Sequence, residues 1–412
     1  MSIDDDPGRS AVTQPAQPPA GRVPEHRPAF RPGFLPALEG LRAVASIGII
    51  GTHAAFQTGH DTGALWERAL GRFDFFVAVF FTLSGFLLWR SHRGGGDWRR
   101  YYRRRAARIL PAYWVLVLVV LLVLPVGAGA GLRAWAANLT LTQVFVAEGL
   151  HGGLTHLWSL SVEVSFYLAL PAFAILLRRL DPVRRQGARI LALAGLAAAS
   201  LGWAWLPLPY PEGVNPHIQP AAYFSWFAAG MVLAEAESLA GHPDPARRAL
   251  LGRLRRYAAR RWVGLGLAAA ALLLAARLGP EGLVELTHWE FLRRLLCGLV
   301  FGAGIIGPWA IEPASRVLAS APMQALGRWS YGIFLWHMAM LSVAFPLLGV
   351  RLFDGHLPAV ALLTVALTIP VAAASYALVE EPARRALGRH WATPTSASAA
   401  SAASCSHQVP AR

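Results

Sequence analysis

Two side chains that are costly to hold in lipid interrupt the apolar run LEGLRAVASIGIIGTHAAF: Arg42 and His53. They stand eleven residues apart. On an α-helix that is three turns plus about 20°, with a rise of roughly 16 Å, so both lie on one face. A cation at the mouth of such a stripe and an imidazole deeper in suit a path or a site. The alternative is an arginine that snorkels to the interface and a histidine satisfied in the core.

Other apolar runs carry polar groups at comparable depth. In HLWSLSVEVSFYLALP, Ser159, Glu163 and Tyr167 fall on one helical face. In GRWSYGIFLWHMAM, Ser330 and His337 are seven apart, again on nearly one face. Asp74 opens a run that goes on through Ser84 and Gly85 in FFTLSGFLLWR. A carboxylate and two imidazoles at similar depth fit proton transfer, and they fit a buried structural network as well. In YYRRRAARILPAYWV, Arg105 and Arg108 are three apart. Such a pair can grip phosphate through charge-assisted bonds, or it can simply mark a cytoplasmic helix end.

These residues need membrane helices to hold them. The 412-residue chain is 55% hydrophobic and 15% charged, and its mean hydropathy is +0.42. Ten apolar stretches read as spans: 36–56, 73–91, 109–130, 157–178, 188–208, 219–238, 262–279, 291–311, 326–349 and 357–379. Segment 134–147 is shorter and mixed, and reads as interfacial or re-entrant. The expected fold is an all-α bundle, because lipid leaves no partner for unpaired backbone groups.

The formal charge of +15 comes without a single lysine. The arginines cluster between spans 2 and 3, 4 and 5, and 6 and 7, while the links between 3 and 4 and between 5 and 6 have almost none. That alternation puts the arginine-rich links, and both termini, in the cytoplasm. It also accounts for the basic excess without nucleic acid, for which no motif is present. The link between spans 7 and 8 is mixed, with Arg277, Arg293 and Arg294 offset by Glu281, Glu285 and Glu290. The two cysteines, Cys297 and Cys405, imply neither a disulfide framework nor a metal site. Residues 1–33 and 386–412 read as disordered cytoplasmic tails flanking a membrane domain at 34–385. The first of them lacks the basic and apolar regions of a signal peptide.

Six motifs in order resemble the membrane acyltransferase-3 family, bacterial proteins that O-acylate sugars, polysaccharides, lipids and macrolides. They are LEGLRAVASIGIIGTH, FFTLSGFLL, RAARILPAYW, HLWSLSVEVSFYLALP, SYGIFLWH and ALVEEP. The resemblance implies a ten-helix core in the bacterial cytoplasmic membrane, an acyl-CoA donor used from the cytoplasm, and no bound cofactor. It implies essential roles for Arg42 and His53, with Arg105, Arg108, Ser84 and Gly85 on the donor side. Glu163 matches the first acid of a motif whose second acid is Val164 here. Asp74, His156, Trp158, Tyr167, Ser330 and His337 are expected to support the site or meet the acceptor. Some members append a periplasmic SGNH hydrolase domain, for which this chain is too short.

The expected reaction moves a short acyl group, acetyl in most members, to a hydroxyl of a carbohydrate, glycolipid or macrolide, with His53 as general base. A covalent acyl-histidine is a variant. The rival from another class is a proton-coupled transporter using His53, His337 and Glu163; no internal repeat or pair of broken helices supports it. A non-catalytic envelope partner would leave the Arg42–His53 stripe without a purpose. Acceptor identity and oligomeric state are not written in the sequence.

Overall fold

The computed structural model describes residues 33–180, 185–206, 208–280 and 285–390. The expected tails at 1–33 and 386–412 lie outside these residues, apart from Gly33 and 386–390. By its contacts the chain divides at residues 34 and 35, and every helix belongs to the second unit. All regular structure among the described residues is helical.

The helices are α1 (Pro36–Thr58), α2 (Leu65–Gly71), α3 (Phe76–His92), α4 (Trp98–Val123), α5 (Leu132–Leu139), α6 (Trp158–Leu177) and α7 (Gln186–Leu201). After them come α8 (Phe224–Glu237), α9 (Pro245–Ala259), α10 (Arg261–Leu278), α11 (His288–Ile311), α12 (Ala321–Leu348), α13 (Leu357–Ser375) and α14 (Glu381–His390). Each of the ten expected spans coincides with one of these helices. Seven segments are long and apolar enough to cross a membrane: Leu65–His92, Trp98–Val123, Thr155–Leu177, Arg261–Leu278, His288–Ile311, Ala321–Leu348 and Leu357–Leu387. Helix α1 has the length, but Glu39, Arg42, Ser46, Thr52 and His53 lower its apolarity. Helices α7 and α8 have 16 and 14 residues, or roughly 24 and 21 Å, against about 30 Å of hydrocarbon. The 3₁₀ turns Gly202–Trp205 and Pro220–Tyr223 lengthen them.

Two elements depart from the expected organisation. Helix α4 begins at Trp98, not 109, because Asp97 caps it by accepting from the Arg100 amide at 3.0 Å. The arginine-rich stretch is therefore helix, and Arg105 and Arg108 stand one turn apart on it. It ends at Val123, ahead of a 3₁₀ turn at Pro125–Gly127. The link 239–260, read as a loop, contains α9. Asp244 caps it from the Ala246 amide at 2.8 Å, and Pro245 occupies the first turn. Leu251 packs there against Leu239 and Ile311 while the arginines face outward.

Helix α1 packs against α12, α13 and α3. Helix α3 packs most closely on α8. A β-carbon at Gly85 would overlap the Phe227 carbonyl oxygen, and one at Gly230 would overlap that of Thr82. The two backbones meet there, as small residues permit in membrane bundles.

The links gather at two ends. At one end Arg93, after α3, donates to Ala234 O of α8, and Arg189 at the start of α7 donates to Arg93 O. On the same side Arg261 donates to Glu312 O and Ala314 O, and Gln324 to Pro36 O. At the other end Gln219 donates to Val144 O, Trp205 packs on His288, Arg68 donates to Arg277 O, and the Phe353 amide to Gln57 O. The arginine-rich stretches 90–105 and 238–260, together with Arg178, Arg179 and Arg185, belong to the first group.

Candidate active site

The site forms where α1, α3, α4, α6 and α12 meet. Helices α1 and α12 run in the same direction. The Glu39 backbone abuts Gly327, Arg42 Nε donates to Ser330 Oγ at 3.3 Å, and His53 meets His337 with ring centroids 5.1 Å apart. Arg42 pairs with a residue 288 positions on, whereas His53 pairs with one 284 positions on. The two offsets differ by four residues, about one helical turn.

A cleft of about 530 Å³ opens beside Arg42. Its polar wall is Arg42, Arg108, Ser159, Glu163, Tyr167, Ser330 and Tyr331, and its apolar wall includes Phe80, Phe81 and Phe334. Glu163 ties α3 to α6: its Oε1 accepts from Ser84 Oγ and, at 2.5 Å, from Tyr167 Oη. Ser84 thus acts through Glu163.

Arg105 and Arg108 point to different places. Arg108 lines the cleft with Arg42, while Arg105 lies over the Tyr167 ring, 5.7 Å from its centroid, with its Nε buried and unpartnered. Gly85, expected on the donor side, serves the α3–α8 contact instead. Trp158 packs on Tyr223 at 5.1 Å, outside the cleft wall.

Phe334 closes the inner end of the cleft, 6.3 Å from Phe80 between ring centroids. Its other side faces histidines, with the His156 ring at 5.4 Å and the His337 ring at 6.0 Å. His337 stands between the other two imidazoles, 5.1 Å from His53 and 4.7 Å from His156. His337 is wholly buried and His156 is 3% exposed. No carboxylate bonds to either ring. His156 enters this cluster from the 3₁₀ turn Thr155–Leu157 ahead of α6. No group of three or more His, Cys, Asp or Glu is arranged to hold a metal among the described residues.

Asp74 lies outside the cleft wall but is an electrostatic neighbour of His53. Its Oδ2 accepts from Arg294 Nη2 at 2.5 Å and so binds the start of the second span to α11. Arg294 also lines a separate, largely apolar cleft of about 420 Å³ with Arg72 and Arg293.

Two groups escaped the sequence reading. Glu380 is 4% exposed on the π-turn Tyr376–Glu380, with Oε1 unpartnered and with Arg108 and Arg42 as electrostatic neighbours. Its signal was the acidic pair of ALVEEP, from which no site residue was taken. The other is the ion pair of Arg189 and Glu235 at 2.9 Å, fully buried, with Trp89 Nε1 donating to the same carboxylate at 2.7 Å. Nothing in span 5 or span 6 links an arginine to a glutamate 46 residues on.

A helical bundle with seven membrane-length segments, burying an arginine cleft against a histidine cluster, is a multi-pass membrane protein built around a polar interior site. The chain belongs to the acyltransferase-3 family, whose model, an acyltransferase domain, matches residues 35–377. It is 30% identical to the acyltransferase MdmB of Streptomyces mycarofaciens over 379 residues, covering 86% of this chain and 93% of MdmB. It is 25% identical to the peptidoglycan O-acetyltransferase OatA of Listeria monocytogenes over 381 residues, covering 85% of this chain and 56% of OatA. The O-acetyltransferase OatA of Staphylococcus aureus is likewise 25% identical over 385 residues, 58% of its length. The chain therefore spans nearly all of MdmB and little more than half of either OatA. No solved structure matches.

Proposed function

We propose that the protein is a membrane O-acyltransferase. It moves a short acyl group, acetyl first among candidates, from cytoplasmic acyl-CoA to a hydroxyl of a carbohydrate, glycolipid or macrolide-type acceptor. The observation that carries this reading is the cleft itself: two arginines at one end, an aromatic wall at the other, and imidazoles behind the wall.

Arg42 and Arg108 hold the donor's phosphates through charge-assisted bonds. The thin pantetheine arm lies along the cleft and brings the thioester past Phe334. His53 takes the proton of the acceptor hydroxyl as its oxygen attacks the thioester carbonyl. The C–S bond breaks, and His53 returns the proton to the departing thiolate. Glu163, fixed by Ser84 and Tyr167, offers its second oxygen to hydroxyls entering the site. Coenzyme A thus stays on its own side of the bilayer.

The acyltransferase domain occupies 34–385 with ten crossings of the bacterial cytoplasmic membrane and both termini in the cytoplasm. Support comes from the alternating arginine density and from the grouping of links at two ends.

The test is purified protein in nanodiscs with acetyl-labelled acetyl-CoA and a panel of methyl glycosides. Time-dependent label on a glycoside, or thiol release, is the expected outcome. A transporter would yield neither, and the absence of both across acetyl-, propionyl- and isovaleryl-CoA would overturn the reading.

A further inference from the structure

The backbone fixes which nitrogens of the histidine cluster can donate. His337 Nδ1 lies 2.7 Å from Phe334 O, and His156 Nε2 lies 3.0 Å from Leu335 O. A carbonyl oxygen only accepts, so each of these nitrogens carries the ring proton. In a neutral ring the other nitrogen is then a bare acceptor. Those two acceptors, His337 Nε2 and His156 Nδ1, are buried and without partners among the described residues. An orphaned buried acceptor is unfavourable and marks a place awaiting a donor.

His156 cannot be that donor for His337, since its one proton is committed to Leu335 O. Of the three rings only His53 remains. No hydrogen bond holds either of its nitrogens among the described residues, and its ring is tilted 35° to His337 at 5.1 Å. Rotation about its Cβ–Cγ bond turns a ring N–H toward His337.

We propose that His337 is a positioning residue for His53: the orphaned His337 Nε2 accepts the His53 ring proton. That bond selects one tautomer of His53 and leaves its second nitrogen as a lone pair for the acceptor hydroxyl. Catalytic bases are commonly oriented by a third group in this way, most often a carboxylate. Here the orienting group is a neutral imidazole, itself locked by Phe334 O. It gives up no proton during turnover. This role rests on the reading of His53 as general base, but the hydrogen bond itself does not.

The bond is tested first in the unaltered protein. Histidine labelled with ¹⁵N in nanodisc-embedded protein should show a scalar coupling across an N–H···N bond, and the signal should vanish in His53→Ala. Next, His337→Phe keeps the ring volume but removes the acceptor, and His337→Gln supplies an acceptor oxygen. In His337→Phe the two His53 nitrogens should collapse toward one averaged shift, and His337→Gln should separate them again. Turnover of acetyl-CoA should fall about 10²-fold in His337→Phe with KM for acetyl-CoA unchanged, and recover in part in His337→Gln. No coupling in the parent, together with unchanged His53 shifts in His337→Phe, would overturn the proposal. A coupling seen in protein that transfers no acyl group would uphold the positioning and remove the reaction instead.

Discussion

Among the described residues, Arg42 and Arg108 are the arginines on the cleft wall, and this separates residues that the sequence made look equivalent. Arg105 and Arg108 lie one turn apart, and both were expected to hold phosphate. The helix turns Arg108 toward Arg42 and Arg105 onto Tyr167. A charge-assisted hydrogen bond contributes about 1.5–3 kcal/mol, so Arg108→Ala should raise KM for acetyl-CoA by roughly 10- to 100-fold. The parent's KM should rise with salt, because a partly exposed arginine is screened. Arg105→Ala should have a smaller effect on KM. Equal effects of the two substitutions would restore the two-arginine clamp. His53→Ala belongs to a different step. General-base catalysis contributes about 10²–10⁴-fold, so kcat should fall by that much while donor binding persists. Single-turnover transfer by folded, inserted protein measures it, and near-normal transfer would remove His53 from the chemistry. Arg42, His53, Glu163, Ser330 and His337 were legible because helical spacing alone puts them on inward faces. Glu380 was not, since its position depends on a π-turn that periodicity does not reveal.

Helices were legible where apolarity was long and unbroken, and their ends were legible only where a cap stood out. Asp97 and Asp244-Pro245 cap α4 and α9, yet neither was read as a helix start. Counting arginines as loop residues concealed them, although long charged side chains are good helix formers. The tie between α7 and α8 could not be read at all, because pairing Arg189 with Glu235 is a tertiary fact. That pair also clasps Trp89 of α3, Leu177 O of α6 and Arg93 O, so four segments share one charge cluster. A buried pair adds little over an apolar replacement, but losing one partner strands a charge, at a cost of about 3–5 kcal/mol. Arg189→Met and Glu235→Met should each lower the thermal unfolding midpoint in detergent sharply. The double replacement should recover much of the loss. If the double variant is as unstable as the sum of the singles, the pair is not the unit that holds α7 and α8. Neither residue lines the cleft, so KM of the surviving folded fraction should not change.

At the scale of the whole molecule, the question is which face of the bundle meets the cytoplasm. Arginine density supports the proposed answer, and the fold adds a constraint that composition lacks. Links before α2, after α5, before α8, before α11 and before α13 join one another through Arg68–Arg277, Gln219–Val144, Trp205–His288 and Phe353–Gln57. The arginine-dense links join one another through Arg93, Arg189 and Arg261. The proposed ten crossings require α7 and α8 to cross despite their shortness and α1 despite its polar residues. The polar residues of α1 pack against α12, α13 and α3, which a hydropathy window cannot register. The proposed topology rests on the positive-inside bias. A cysteine at Asn215, in protein with Cys297 and Cys405 changed to serine, should react with an impermeant maleimide in intact cells. A cysteine at Ala246, next to the α9 cap, should react only after the membrane is opened. Labelling at Ala246 and protection at Asn215 in intact cells would invert the bundle, turn the Arg42–Arg108 cleft away from cytoplasmic coenzyme A, and leave the proposed donor without a route in. Labelling at both would show that α8 and α9 do not flank a crossing, and the count of ten would fall.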